Sequence, residues 1–201
     1  MLQKAAIKTP RHKLKLECHY SIINVKDVKT QKELFSNMCK SGCKNFNKKY
    51  SCPPCSPGFH SCTKGYALLL VLLLRIRLNQ LKDYRDYHKL RVGNAVIKPR
   101  IEKVMRALET NNKFLGTGAC RLCKPCKKAL NKPCRYPDKM RFSLESLGVD
   151  CNQLTEDVFN FPLLWYKDKT APEYTSVVCA LPVNDENILK KTKEAIEELV
   201  V

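Results

Sequence analysis

Twelve cysteines in 201 residues constrain this chain more than any other feature, because nine of them crowd into two short segments, 39–62 and 120–134. Both segments are rich in Gly, Pro, Ser, Asn and Lys and carry no apolar period, so neither reads as helix or strand. The stretch from Ser41 to Gly65 is longer than an unorganised loop normally runs in a compact domain. It needs an internal organiser, and bound metal is one. The opening Met1-Leu2-Gln3-Lys4 leads into the basic stretch Lys8 to Lys15 with no apolar core of a secretory signal. The expected location is therefore cytoplasmic. In that reducing setting dense cysteines more often mean metal or catalysis than disulfides.

The second group reads Cys120-x2-Cys123-x2-Cys126-x7-Cys134. Three sulfurs at two-residue spacing come from one tight loop and match the first three positions of the bacterial ferredoxin run. In that run the fourth cysteine follows after three residues and precedes proline. Here it follows after seven, with proline at Pro137, and a seven-residue arc can return Cys134 to the same site. The basic neighbours Arg121, Lys124, Lys127, Lys128, Lys132 and Arg135 are expected to lower the thiol pKa values and offset cluster charge. A structural zinc site with four cysteine ligands uses the same donors and stays open.

The first group reads Cys39-x3-Cys43-x8-Cys52-Pro53-Pro54-Cys55-x6-Cys62. Five cysteines exceed the four that one tetrahedral or cubane site takes, so one is a bystander or a free thiol beside the metal. Pro53 and Pro54 stiffen the loop and remove two backbone donors. Cys39-x3-Cys43 with Cys52-x2-Cys55 also fits a zinc ribbon or knuckle. The radical S-adenosylmethionine triplet C-x3-C-x2-C is absent, since its third position holds Phe46. Cys18, Cys151 and Cys179 stand alone and read as buried packing residues. Among the four histidines only His60, between Cys55 and Cys62, is placed as an alternative ligand, and His88 reads as helix surface.

The rest of the chain supplies a core. Leu14 to Val25 alternates Leu14, Leu16, Cys18, Tyr20 and Ile22 on one face of a strand. Tyr66 to Ile76 and Tyr174 to Val183 read as further strands. Helices are expected from a Thr30 cap to about Cys39 with Glu33 as capping-box partner, over Gln80–Leu90, and from Pro99 to about Asn111. Ser143–Leu147 reads as a short helix stopped by Gly148, and Asn184 as the cap of a terminal helix packing Ile188, Leu189, Ile196 and Leu199. The fold class is α/β. It is a small sheet of about three or four strands flanked by helices, with two cysteine-rich metal-binding loops inserted, forming one metal-binding domain over 1–201 (loops 39–62 and 120–141). The longest aliphatic run, Ala67 to Leu74, is far short of the about 20 residues that span a bilayer, so no membrane segment is expected.

Thirty-seven Lys and Arg against nineteen Asp and Glu leave a formal charge of +18. Such an excess attracts polyanions, but no sustained aromatic-and-basic RNA-reading motif accompanies it, so nucleic acid is the lesser reading. Part of the basicity serves as counter-field for anionic clusters.

Taken together these motifs resemble an uncharacterised family of cysteine-rich, predicted metal-binding proteins of anaerobic bacteria and archaea. The likeness rests on Cys43 through Ser51-Cys52-Pro53-Pro54 and on Leu115-Gly116-Thr117-Gly118-Ala119-Cys120-Arg121-Leu122-Cys123 with Cys126. It continues in Pro133-Cys134-Arg135-Tyr136-Pro137 and in Arg141-Phe142-Ser143-Leu144-Glu145-Ser146-Leu147-Gly148-Val149-Asp150. It runs from about Cys39 to Asp150. Phe142 and Leu144 depart from the proline and methionine usual there, without touching a ligand. The resemblance implies cysteine-ligated metal of iron–sulfur type and brings no reaction with it. Cys55 and Cys62 lie outside its pattern, which leaves Cys39, Cys43 and Cys52 for the first site and Cys120, Cys123, Cys126 and Cys134 for the second.

The expected cofactor is one or two 4Fe–4S clusters, with zinc as the alternative. A three-sulfur first site would leave one iron open to a small ligand. Glu145 is a candidate acid or base and Arg141 a candidate anion grip, against the plainer reading in which Ser143 caps the short helix and the two charges pair at the surface. The leading function is iron–sulfur redox or sulfur chemistry in anaerobic metabolism, with the basic face docking an acidic redox partner. The alternative is a zinc-stabilised interaction or nucleic-acid-binding module. Whether the protein is an enzyme is left open.

Overall fold

In a computed structural model that describes residues 1–200, with side chains through Leu199, four antiparallel strands form one sheet in the order of the chain. Strand β1 is Leu2–Lys8 and β2 is Lys13–Asn24, and the two form a hairpin that pairs Leu2 with His19 and Lys8 with Lys13. β2 buries Leu14, Leu16, Cys18 and Tyr20 on its expected face. β1 was not expected. Only Ala5 and Ile7 of it turn inward between exposed lysines, and β2 supplies the partner that makes so weak a pattern a strand.

Helix α1 is Lys32–Gly42, and a single turn, α2, covers Phe59–Cys62. Strand β3, Leu68–Arg77, is buried on both faces through its aliphatic run. Helix α3, Asp86–Leu108, is continuous where two helices divided by Pro99 were expected. Pro99 lies inside it at a site where proline costs about 3 kcal/mol. Buried contacts on both sides of the proline, from Val96 and Ile97 to Ile101, Val104, Met105 and Leu108, hold the helix through that point. The Arg100 guanidinium meanwhile donates to the Val96 carbonyl at 2.8 Å. Gln80–Leu90 is correspondingly not a helix of its own. It holds the end of a 3-10 turn, Leu78–Gln80, and the start of α3.

Helix α4, Cys151–Phe159, was not expected, although its signal is present: Asp150 caps it by accepting from the Asn152 and Gln153 amides. Strand β4 spans Tyr174–Val183 as anticipated, and α5 is Ile188–Glu197. Thr30 and Asn184 do not cap their helices. The N-cap positions fall to Gln31 and Asn187, neither with a side-chain cap bond, because Thr30 instead bridges to Val149.

The sheet separates two cores. On one side α3 and α5 cover Leu70, Leu72, Leu74, Cys179 and Leu181. On the other, Phe59, Leu144, Leu147 and α4 cover Leu69, Val71, Leu73 and Val178. This is the expected α/β arrangement of a small sheet between helices. Two glycines set close approaches. A Cβ on Gly93 would lie 2.6 Å from Thr175 Cγ2, so α3 needs glycine to reach β4. Gly148, at φ +94°, stops the Glu145–Leu147 turn as expected, and a Cβ there would meet the Lys32 backbone at 2.6 Å.

Both cysteine loops leave from and return to this frame. Leu115 pairs with Ala180 along the outer edge of β4, and the Gly116 amide donates to Phe142 O at 2.7 Å while Leu144 N donates to Gly116 O. The second loop is thus an excursion of about 25 residues whose ends are clamped together at the sheet edge. Among the described residues no helix is long and apolar enough to cross a membrane.

Candidate metal centre

Cys120, Cys123, Cys126 and Cys134 all line one small cavity, closed by Tyr50, Ser51, Leu122, Tyr136 and Met140. The turn at Lys127–Leu130, ended by Asn131 in the left-handed conformation (φ 52°), folds the arc that brings Cys134 back towards the triplet. The far side of the loop is tied by Arg141. Its guanidinium donates to both oxygens of Glu109 at 2.5 and 2.6 Å and to the Asp138 and Met140 carbonyls. Glu109 also accepts from Phe114 N at 2.8 Å. Burial alone would raise its pKa, but these bonds and the guanidinium charge hold it below the usual carboxylate range.

The first loop gathers Cys39 at the end of α1, Cys43 just beyond it, and buried Cys52. Burial raises the Cys39 thiol, and the nearby Cys43 and Glu145 charges raise it further, against Lys32. Burial likewise raises Cys52, opposed by a contact with Ser51 Oγ and reinforced by Cys43 and Cys39. These three cysteines therefore lie within electrostatic reach of one another. Burial raises Cys62 too, opposed by Lys32, and the Cys55 amide donates to Cys52 O at 2.9 Å. His60 is exposed and rests its ring against Phe59. Cys18, Cys151 and Cys179 are buried in the two cores.

Two lysines carry this architecture, and neither was visible in sequence. Lys32 Nζ donates to Ser56 O, Ser56 Oγ, Pro57 O and Ser146 O, at 2.5 to 3.0 Å, pinning the first loop to the Glu145–Leu147 turn. Lys49 Nζ donates to Cys120 O at 2.7 Å, and Ser51 Oγ accepts from Cys120 N at 3.0 Å. Tyr50 OH reaches Lys132 O at 2.8 Å. The two loops thus meet along Lys49-Tyr50-Ser51, directly beside Cys52. The cation that favours the Cys120 thiolate is Lys49 of the other loop, not a sequence neighbour, and burial outweighs it so that the thiol is raised. The expected lowering does not hold at Cys120.

Ser143 does not take the cap position of the short turn, which falls to Leu144 without a side-chain cap bond, but its Oγ accepts from Ser146 N at 3.2 Å. The expected pairing of Arg141 with Glu145 also fails: Arg141 pairs with Glu109, and Glu145 Oε2 is buried with no hydrogen-bond partner among the described residues.

Four cysteines lining one cavity, and three more grouped near half-buried Glu145, are donor types suited to thiophilic metal or iron–sulfur cores. No three such side chains among the described residues stand at holding distance for a single ion. A family model described as predicted metal-binding protein (DUF2284) matches residues 21–180. The chain belongs to this predicted metal-binding family. No curated protein and no solved structure matches it.

Proposed function

We propose that this protein holds two unequal cysteine-ligated iron–sulfur sites and serves redox or sulfur chemistry in a reducing, cytoplasmic setting. The observation that carries the reading is the convergence of Cys120, Cys123, Cys126 and Cys134 on one cavity. The two-residue spacing of the first three favours a cluster of 4Fe–4S type over zinc. A cluster there would supply a one-electron couple. The protein's part is to hold it by four thiolates and to place Cys120 against the loop that carries Cys52.

Cys39, Cys43 and Cys52 are the ligands proposed for the first site. Three thiolates leave one metal position without sulfur, and Glu145 Oε2, buried without a partner among the described residues and within electrostatic reach of Cys39, is the oxygen donor proposed for it. The exposed basic surface of the second loop suits an acidic redox partner.

Iron and acid-labile sulfide analysis with Mössbauer spectroscopy of anaerobically purified protein tests the proposal. Iron with matching sulfide in two sites, one of them carrying a distinct iron, is the expected result. Zinc without sulfide sinks it in favour of a zinc-stabilised interaction module, whose charge of +18 would then predict steeply salt-dependent binding to nucleic acid.

A further inference from the structure

A second, roomier cavity lies beside the cysteine site. It holds about 670 Å³, within the range of small-molecule sites, between the outer face of α3 and the segment Gly116–Arg121. Cys120 and Leu122 line both this cavity and the small one enclosed by the four cysteines, so the two are neighbours.

Its charge is one-sided. Arg91, Lys98, Arg106, Arg121 and Lys139 line it and form no ion pair among the described residues, Arg106 donating to Lys139 O at 3.3 Å, and the lone carboxylate in the wall is Glu102. Arg141, also in the wall, is already committed to Glu109. The amides of Thr117, Gly118 and Ala119 in the same wall donate to no protein acceptor among the described residues. Gly118 takes φ +66° and opens onto free space, which leaves the backbone bare at that point. At the other end the lining is apolar and aromatic: Leu90, Tyr87 and Tyr166, whose rings meet edge to face at 5.8 Å.

We propose that this cavity binds a small organic anion of two or more negative charges, its charged end among Lys98, Arg121 and Lys139 and its apolar end against Tyr87 and Tyr166, next to Cys120. Five cations outside any ion pair, against one carboxylate, repel one another when the cavity is empty, and a multiply charged ligand relieves that repulsion. The limited volume and the aromatic end favour a compact molecule over a polymer. The proposal does not depend on which metal the cysteines hold.

Calorimetric titration of the metal-loaded protein with ADP and with citrate, at physiological salt, separates phosphate from carboxylate as the recognised charge. The double variant Lys98→Gln/Lys139→Gln should weaken the bound probe roughly tenfold or more, as charge-assisted contacts do. The equally charged control Lys8→Gln/Lys13→Gln, on the hairpin at the opposite edge of the sheet, should change it less than about twofold. Ala95→Trp, an exposed α3 position in the cavity wall, fills the space without altering charge and should also abolish binding. Equal losses in both double variants overturn the proposal. So does failure of both probes at millimolar concentration, whether or not a random oligonucleotide binds.

Discussion

The two cysteine loops differ in what holds them. The first buries Ser51, Cys52, Pro53, Ser56, Phe59 and Thr63, and a single ammonium, Lys32, donates to two of its carbonyls, Ser56 O and Pro57 O, and to Ser146 O of the adjoining turn. The second has no buried residue from Arg121 to Met140. It is clamped at its ends by Gly116, Phe142 and the Glu109–Arg141 pair, and touched in its middle by Lys49, Tyr50 and Ser51. The first loop folds as an extension of the core. The second has little to bury, so metal binding must supply most of what orders it.

Metal removal should break that comparison most visibly. Chelation under reducing, anaerobic conditions is expected to speed amide exchange across 121–134 by roughly 100-fold or more, while the amides around Ser51 and Ser56 keep most of their protection. Equal deprotection of both loops, read by hydrogen-exchange mass spectrometry, would show that the first also depends on metal.

The reverse test acts on Lys32. Lys32→Met leaves the Ser56 and Pro57 carbonyls without their donor, and Ser146 O with Ser56 Oγ alone, and should cost about 3 kcal/mol. Thermal melting should report it, and the loss should persist in metal-free protein. A loss seen only in the metal-loaded form would mean that Lys32 serves the metal rather than the loop.

For the second loop, Glu109→Gln removes one member of a largely buried pair and should cost about 2–3 kcal/mol near neutral pH. The folded-state pKa of Glu109 is lowered, so its contribution is present above the ordinary carboxylate pKa and disappears as pH falls through the folded value. The melting difference between wild type and variant should therefore close on acidification. A gap that is the same at every pH would argue against the ion pair.

Smaller effects sharpen the ligand assignment. Burial raises the thiols of Cys39, Cys52 and Cys120, so metal must displace their protons. Apparent affinity should rise by roughly tenfold per pH unit for each thiol still protonated, and a chelator competition series measures it. Cys55→Ser should leave metal content unchanged, whereas Cys126→Ser should lose the second site, and elemental analysis decides between them.

Strands β2, β3 and β4 were legible because period-two alternation and long aliphatic runs state burial directly. β1 was not, because two inward residues mean nothing until β2 pairs with them. Pro99 read as a helix start from local chemistry, and packing against β4 and α5 overrode it. Asp150 followed by Gln153 was a readable cap that went unread. At the site, the cysteine spacing was legible, but Lys32 and Lys49 were not, since each acts on residues 24 to 114 positions away.

The sequence by itself determined the candidate donors. Cysteine spacing limits which sulfurs one short loop can present together, and that limit is local. Only the tertiary structure decided how the loops are held, which lysine faces Cys120, that Glu145 Oε2 is left without a partner among the described residues while Arg141 turns to Glu109, and that a basic cavity opens beside Cys120. Each of these depends on residues far apart in the chain meeting across the sheet edge, where burial and charge take their values from the packed neighbours.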